Sequence, residues 1–131
     1  IGGPGSGKST LCSKLIESKT INSDNNLQFI SVGNLIRAEL ERLNKSDDKT
    51  GLNFINDIIK KGELLPSYIS VGLLKDEINR IAEKNKNTNK VNLIVDGFPH
   101  KIENISMFDK LFSGNMIRIN TIFHLKCKEE T

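Results

Sequence analysis

The 131-residue sequence has no long hydrophobic run, only two cysteines and little excess charge of either sign. No stretch approaches the ~20 apolar residues of a membrane-spanning helix, so we expect no membrane partner and no signal peptide. The net charge of +3 is too small to indicate nucleic-acid binding. The Lys- and Asn-rich run at residues 83–90 has no aromatic residues between its charges, so it indicates a solvated loop.

The two cysteines, Cys12 and Cys127, lie far apart and do not have the spacing of metal ligands. We expect reduced, buried thiols in a cytoplasmic protein, although the sequence leaves a disulfide open. Only Ile1 precedes the first motif, there is no initiator Met, and the chain stops just after an apolar run. We therefore expect this sequence to be a fragment of a longer protein.

Apolar periodicity predicts several helices that alternate with short strands. The predicted helices cover residues 8–18, 34–43, 50–61, 66–81 and 101–112, and the predicted strands cover residues 28–31, 91–95 and 117–125. Residues 20–26 are polar and predict a loop, and Gly33 is expected to break the first strand. Thr50 is expected to cap the third helix and Gly62 to end it. Pro66 and Ser67 are start signals for the fourth helix, whose expected apolar stripe is Ile69, Leu73, Leu74, Ile78 and Ile81. Strands separated by helices indicate a single α/β domain with a parallel sheet.

The first nine residues contain the most specific motif. Gly2, Gly7, Lys8 and Ser9 fit G-x-x-x-x-G-K-[ST], whose glycines let backbone N–H groups converge on phosphate oxygens. Lys8 can reach the outer phosphates, and the Ser9 hydroxyl can bind Mg²⁺. The alternative is a glycine-rich turn before an ordinary helix. The motif indicates a nucleoside triphosphate but does not distinguish a kinase from a GTPase or a motor.

A second candidate site follows the apolar run at residues 91–95, which is typical of a strand buried on both faces of a parallel sheet. The run ends in Asp96, Gly97, Phe98 and Pro99. Ligands of open α/β sheets bind beyond the carboxyl ends of the strands, so Asp96 is a candidate site residue. The alternative is that its carboxylate only caps a turn.

Four segments in this order, residues 2–9, 30–37, 62–66 and 96–99, resemble the nucleoside monophosphate (NMP) kinases, the family of adenylate kinase and UMP-CMP kinase. The resemblance covers nearly all 131 residues. It implies an α/β, P-loop NTPase-type parallel sheet with helices on both faces and a helical NMP-binding insertion at residues 31–66. It also implies that the LID region and the C-terminal part are absent. We therefore expect residues 1–131 alone to have negligible kinase activity.

The resemblance also implies the site residues, with ATP as donor, Mg²⁺ as cofactor and a monomeric protein. The catalytic residues are Lys8, Arg37 and Asp96, and Ser9 and Asp96 hold the metal. The donor phosphates are bound by Gly3, Gly5, Ser6, Gly7, Lys8, Ser9 and Thr10. The acceptor is bound by Ser31, Arg37, Glu63, Leu64, Leu65, Gly97, Phe98, Pro99, His100 and Asn104, of which Asn104 reads the base. Alone, Arg37 could be a surface ion-pair partner and Asn104 ordinary helix surface.

Departures from the family pattern bear on activity and substrate. His100 replaces the arginine that usually follows Phe-Pro, and an imidazole is shorter and less often charged than a guanidinium. We expect weaker acceptor binding that improves as the pH falls towards 6. Val32, Asn104 and the segment at residues 127–130 resemble the UMP-CMP kinases, whereas Lys101 does not.

The acceptor is therefore expected to be UMP or CMP. The alternatives are AMP as acceptor, or a catalytically silent nucleotide-binding module that has lost its acceptor site at His100. A regulatory GTPase is disfavoured, because the sequence has no Asn-Lys-x-Asp segment to read guanine.

Overall fold

A computed structural model describes residues 1, 7–17, 26–86, 91–114 and 117. The described part contains five helices and a parallel strand pair, as the sequence predicts for an α/β P-loop fold. In chain order the elements are α1 (Lys8–Glu17), β1 (Asn26–Ser31), α2 (Val32–Lys45), α3 (Thr50–Lys60), α4 (Ser67–Lys84), β2 (Val91–Asp96) and α5 (Ile102–Phe112).

The two strands are neighbours and run in the same direction. Their register pairs Asn26 with Val91 at one end and Ser31 with Asp96 at the other. The assignment of Asn26 to a loop was wrong, because the strand pairing extends two residues before the predicted start at residue 28. The predicted strand at residues 117–125 lies outside the described residues except for Ile117.

Helix α2 begins directly after β1, two residues earlier than predicted. Ser31 has an extended backbone and its hydroxyl accepts a hydrogen bond from the Asn34 N–H at 3.3 Å, which caps the helix. Gly33 was predicted to separate strand from helix, and this prediction was wrong: Gly33 lies in the first turn of α2. A capped helix start tolerates the glycine, whose low helix propensity suggested a break.

Helix α3 starts at Thr50, but Thr50 is not its cap as expected. The Asp48 carboxylate accepts from the Thr50 N–H at 2.9 Å and from the Thr50 hydroxyl at 2.7 Å. Both hydrogen bonds lower the pKa of Asp48, and the bond from the Thr50 hydroxyl has the larger effect. Gly62 ends the helix as predicted, with a φ of +69°.

The core lies between the strands and helices α2, α4 and α5. Its buried side chains are Ile30, Val32, Val71, Leu74, Ile78, Ile81, Phe108 and Phe112. The stripe predicted on α4 included Ile69 and Leu73, which are only half-buried, and omitted Val71, which is fully buried. Among the described residues, no helix is both long and apolar enough to cross a membrane.

Candidate functional site

The parallel register brings the carboxyl ends of β1 and β2 to the same edge of the sheet. Ser31 and Asp96 are register partners there, and the chain continues into α2 on one side and into the turn at residues 97–100 on the other. Residues predicted for the acceptor site from two distant segments are therefore neighbours in the fold. This edge is where an open α/β sheet places its ligand.

Gly97 packs directly against the start of α2. Its φ is +84°, and a methyl group at this position would lie 3.6 Å from Val32 Cβ, 3.9 Å from the Gly33 nitrogen and 3.9 Å from His100 Nε2. The left-handed backbone conformation by itself favours glycine here. The close approach also places the His100 imidazole beside the first turn of α2.

The Arg37 guanidinium folds back over that same first turn. A methyl group at Gly33 would lie 3.6 Å from both Nη1 and Nη2 of Arg37. Arg37 Nη2 donates a hydrogen bond to Asn34 Oδ1, which fixes the side chain in this direction. Gly33 and Gly97 thus form a surface without side chains. The Arg37 guanidinium lies over Gly33, and the His100 imidazole lies near Gly97.

The charge of Arg37 is placed where a cation alone is unfavourable. The N-terminus of a helix carries a partial positive charge, so a guanidinium over it is repelled unless an anion lies between them. Among the residues that the structure describes, no carboxylate forms an ion pair with Arg37, whereas Arg42 and Arg80 pair with Glu39 and Glu77. The arrangement therefore suits a bound anion.

The phosphate loop is described only where it joins α1. Gly7 has a φ of +86°, and its carbonyl accepts from the Leu11 N–H at 2.9 Å, so the loop leads directly into the helix. Thr10 is exposed. Gly3, Gly5, Ser6 and the side chains of Lys8 and Ser9 lie outside the described residues, so their predicted roles stay predictions.

Asp96 lies close enough to α1 to affect a residue in its second turn. Burial raises the pKa of the half-buried Cys12 thiol, and the Asp96 carboxylate raises it further by disfavouring a second negative charge. Cys12 is a free thiol, as expected, and Cys127 lies outside the described residues. The carboxylate thus faces the helix that starts at the phosphate loop.

Asn104 is almost completely buried, with 3% of its surface exposed. Its Oδ1 accepts from the backbone N–H groups of His100 and Lys101 at 2.9 and 3.2 Å, and its Nδ2 donates to Ser67 Oγ at 2.8 Å. The direct contact with an acceptor base stays a prediction. The geometry gives Asn104 a second role, which is to hold the turn at residues 97–101 against α4.

The remaining predicted acceptor residues divide into buried and open positions. Phe98 is half-buried and its ring lies 5.6 Å from that of Phe108, so it anchors the turn to the core. Pro99 is half-buried, Leu65 is half-buried, and Glu63 and Leu64 are exposed. Only two residues separate the exposed pair from the buried Ser67, so the pair lies close in sequence to the residue that Asn104 contacts.

Sequence reasoning missed three contributors to this site: Gly33, Asn34 and Ser67. Gly33 was assigned to a strand break, although its lack of a side chain makes room for the Arg37 guanidinium. Asn34 precedes Arg37 by three residues, a helical spacing that could have been used as a signal. Ser67 was assigned only to a helix start, since its contact with Asn104 spans 37 residues.

We expect the Asp96→Asn variant to speed alkylation of Cys12 by about 2- to 5-fold near pH 8, measured with iodoacetamide in a Cys127→Ser background. Removing the carboxylate lowers the raised pKa of Cys12, so more reactive thiolate forms at a given pH. Asp76→Asn on α4 is the control, and its rate should match that of the parent. Equal rates for all three proteins would contradict the proximity of Asp96 and Cys12.

Sequence comparison with known proteins identifies the family of this chain. A sequence model of the family described as adenylate kinase matches residues 1–131. The chain is 34% identical over 132 aligned positions to UMP-CMP kinase 3 of Oryza sativa subsp. japonica, covering 99% of this chain and 52% of that protein. It is 30% identical over 130 residues to uridylate kinase of Saccharomyces cerevisiae, covering 99% of this chain and 55% of the relative.

Human UMP-CMP kinase is 29% identical over 130 residues, which cover 99% of this chain and 60% of the human protein. The chain thus spans between half and three fifths of the length of these relatives. The family match extends over every described element, from the phosphate loop to α5. The chain belongs to the adenylate kinase family.

Proposed function

We propose that the full-length protein transfers the γ-phosphoryl group of ATP to a nucleoside monophosphate, with UMP or CMP as acceptor. The transfer needs two polyanionic nucleotides held in line, with positive charge around the transferred group. The phosphate loop at residues 2–9 holds the donor. The turn at residues 97–100 and the start of α2 hold the acceptor phosphate.

The observation that carries this proposal is the position of the Arg37 guanidinium. It lies over Gly33 in the first turn of α2, the turn that Gly97 also approaches, without a carboxylate partner among the described residues. An acceptor phosphate bound beside both Arg37 and the helix N-terminus would offset the repulsion between them and accept hydrogen bonds from the guanidinium. An ordinary surface arginine would instead pair with a carboxylate, as Arg42 does with Glu39.

The donor side supplies the charge that neutralises the ATP phosphates. The Lys8 ammonium would bind the outer phosphates, and Ser9 and Asp96 would hold Mg²⁺, Asp96 through water. In the described part of the chain, no three His, Cys, Asp or Glu side chains lie close enough together to hold a metal ion. This donor set fits Mg²⁺ bound with a nucleotide, since that ion takes most of its ligands from phosphates and water. The bound metal would neutralise charge on the transferring group.

Residues 34–62 would move over the acceptor as a helical flap, and segments of the full-length protein outside this sequence would close over the donor. Helices α2 and α3 make up most of the flap, and the α3 side chains Phe54 and Ile59 are largely exposed. Closure would exclude water, which could otherwise accept the phosphoryl group. Glu63, Leu64 and Leu65 would then line the acceptor nucleoside.

The preference for a pyrimidine rests on Val32 and on the relatives. Val32 is buried, lies against Gly97 and has no polar group to offer an adenine. The similar proteins from rice, yeast and human are called UMP-CMP kinase or uridylate kinase. If Asn104 turns one amide N–H to the acceptor, it would add a polar contact to the base.

The full-length protein should have a higher kcat/KM with UMP or CMP than with AMP, dCMP or GMP. A coupled assay of ADP formation across these five acceptors measures this preference directly. A preference for AMP would indicate an adenylate kinase in the narrow sense, a member of the family that phosphorylates AMP. Binding of ATP without binding of any monophosphate, measured by calorimetry, would instead support a silent nucleotide-binding module.

Replacing Arg37 with Ala should raise the acceptor KM by about 10- to 100-fold, because a charge-assisted hydrogen bond to phosphate is lost. The KM for ATP should change by less than about twofold. Arg37→Lys should restore only part of the binding, since an ammonium cannot form two parallel hydrogen bonds. Arg42→Ala on the same helix is the matched control. Equal kinetics of Arg37→Ala and Arg42→Ala would refute the assignment.

His100→Arg should lower the acceptor KM at pH 8 more than at pH 6. An imidazole is more highly charged at pH 6, so the wild-type protein approaches the variant as the pH falls. The useful quantity is the ratio of the two KM values from pH 8 to 6, in which the titration of the acceptor phosphate cancels. A ratio that is constant over this range would show that His100 does not contact the phosphate.

A further inference from the structure

Ser67 and Asn104 are the two buried polar side chains among the residues that the structure describes. Their relative exposures are 7% and 3%, and they are hydrogen-bonded to each other at 2.8 Å across 37 residues of sequence. Burying polar groups of this kind destabilises a fold unless every one of them is paired. Their position between α4 and α5 therefore calls for a reason beyond packing.

The hydrogen bonds determine which way the Asn104 amide points. Oδ1 accepts from two backbone N–H groups, those of His100 and Lys101. An exchanged amide would place its NH₂ group against these two donors, so the observed orientation is the only one compatible with them. Nδ2 must then face Ser67, whose hydroxyl oxygen is the acceptor.

This arrangement connects the two walls of the proposed acceptor site. The N–H groups that Asn104 binds belong to the turn that carries the His100 side chain. Ser67 begins α4, directly after residues 63–66, which are proposed to line the acceptor nucleoside. One amide therefore joins the phosphate-binding turn to the nucleoside-binding segment, and the Ser67 hydroxyl is its contact on the second of these.

We propose that Ser67 and Asn104 form a positioning pair that holds the turn at residues 97–101 in the conformation that binds the acceptor phosphate. The proposal rests on the proposed function but concerns a residue, Ser67, to which no role in that function has been given. Ser67 touches no substrate in this arrangement. It acts through the Asn104 amide, whose oxygen holds the backbone that carries His100.

Ser67→Ala tests the pair, because it leaves the Asn104 Nδ2 without its buried acceptor. We expect the KM of every acceptor to rise by about 3- to 10-fold, the effect of losing one hydrogen bond between neutral groups. The KM for ATP should change by less than about twofold. The rise should be the same factor for UMP, CMP and AMP, since the phosphate is common to all three.

Matched variants separate positioning from general stability. Ser67→Thr keeps the hydroxyl and should restore the acceptor KM. Ser70→Ala removes a half-buried hydroxyl one turn further along α4 and should change nothing. Ser67→Cys keeps the shape with a weaker acceptor and should give an intermediate KM, which covers the case in which Ser67→Ala does not fold.

A readout without activity distinguishes failure of the pair from failure of the proposed function. In the nucleotide-free, full-length protein, the His100 and Lys101 amides should be protected from hydrogen exchange, and Ser67→Ala should speed their exchange at least about 10-fold. Binding of UMP, CMP and AMP by calorimetry is measured in parallel. Protection lost in Ser67→Ala with no binding of any of these monophosphates by the wild type would refute the kinase proposal and the acceptor role of the pair together.

The other outcomes each decide the question. Unchanged exchange and unchanged acceptor KM in Ser67→Ala overturn the pair while the kinase proposal stands. A rise confined to one base overturns it in favour of direct base reading by Asn104. An equal rise in the KM values for ATP and for the acceptor overturns it in favour of a general structural role.

Discussion

The site depends on the parallel register of β1 and β2. Because Ser31 is opposite Asp96, both strands end at the same level, and the segments that follow them start side by side. A shift of the register by one residue would separate the first turn of α2 from Gly97, which lies so close that an added methyl group would be 3.6 Å from Val32 Cβ. It would also turn the side chains of one strand to the opposite face.

Electrostatics at this edge have two opposite parts. The N-terminus of α2 and the Arg37 guanidinium make one part positive. The Asp96 carboxylate adds negative charge near α1, where burial first and this carboxylate second raise the pKa of Cys12. A positive region suits a phosphate that carries no metal, and a carboxylate suits a metal-bound phosphate. At the end of β2, Asp96 belongs to the proposed metal side and Gly97 to the proposed acceptor side. A single peptide bond therefore separates the two sides.

The predictable parts of the fold are those encoded by neighbouring residues. The strand at residues 91–95, the spacing of Leu74, Ile78 and Ile81, and the stop at Gly62 each reflect local periodicity or backbone preference, and each agrees with the structure. The strand is half-buried, however, and not buried on both faces as expected. Gly33 was misread because intrinsic propensity suggests a break, whereas the Ser31 cap and the space needed by Arg37 determine its conformation. Val71 was missed because full burial depends on how α4 packs against the other elements of the core, which local periodicity does not specify.

The candidate site could be proposed from motifs, but its geometry could not be predicted from them. Four motifs selected the candidate residues, yet no local pattern reveals that Asn104 lies buried against Ser67. Such a contact arises only when α4 and α5 pack together. The same limit applies to Arg37, whose identity is readable from sequence, but whose position over Gly33 follows from its hydrogen bond to Asn34.

The replacement at His100 has more weight in this geometry than the sequence suggests. The His100 N–H already donates to Asn104, so the backbone of this residue has no hydrogen bond left for a phosphate. His100 can therefore bind the phosphate only through its side chain. With an imidazole in place of a guanidinium, one of the two side-chain cations becomes weaker and pH-dependent, and Arg37 must hold a larger share of the acceptor. Its freedom from a carboxylate partner among the described residues is consistent with that demand.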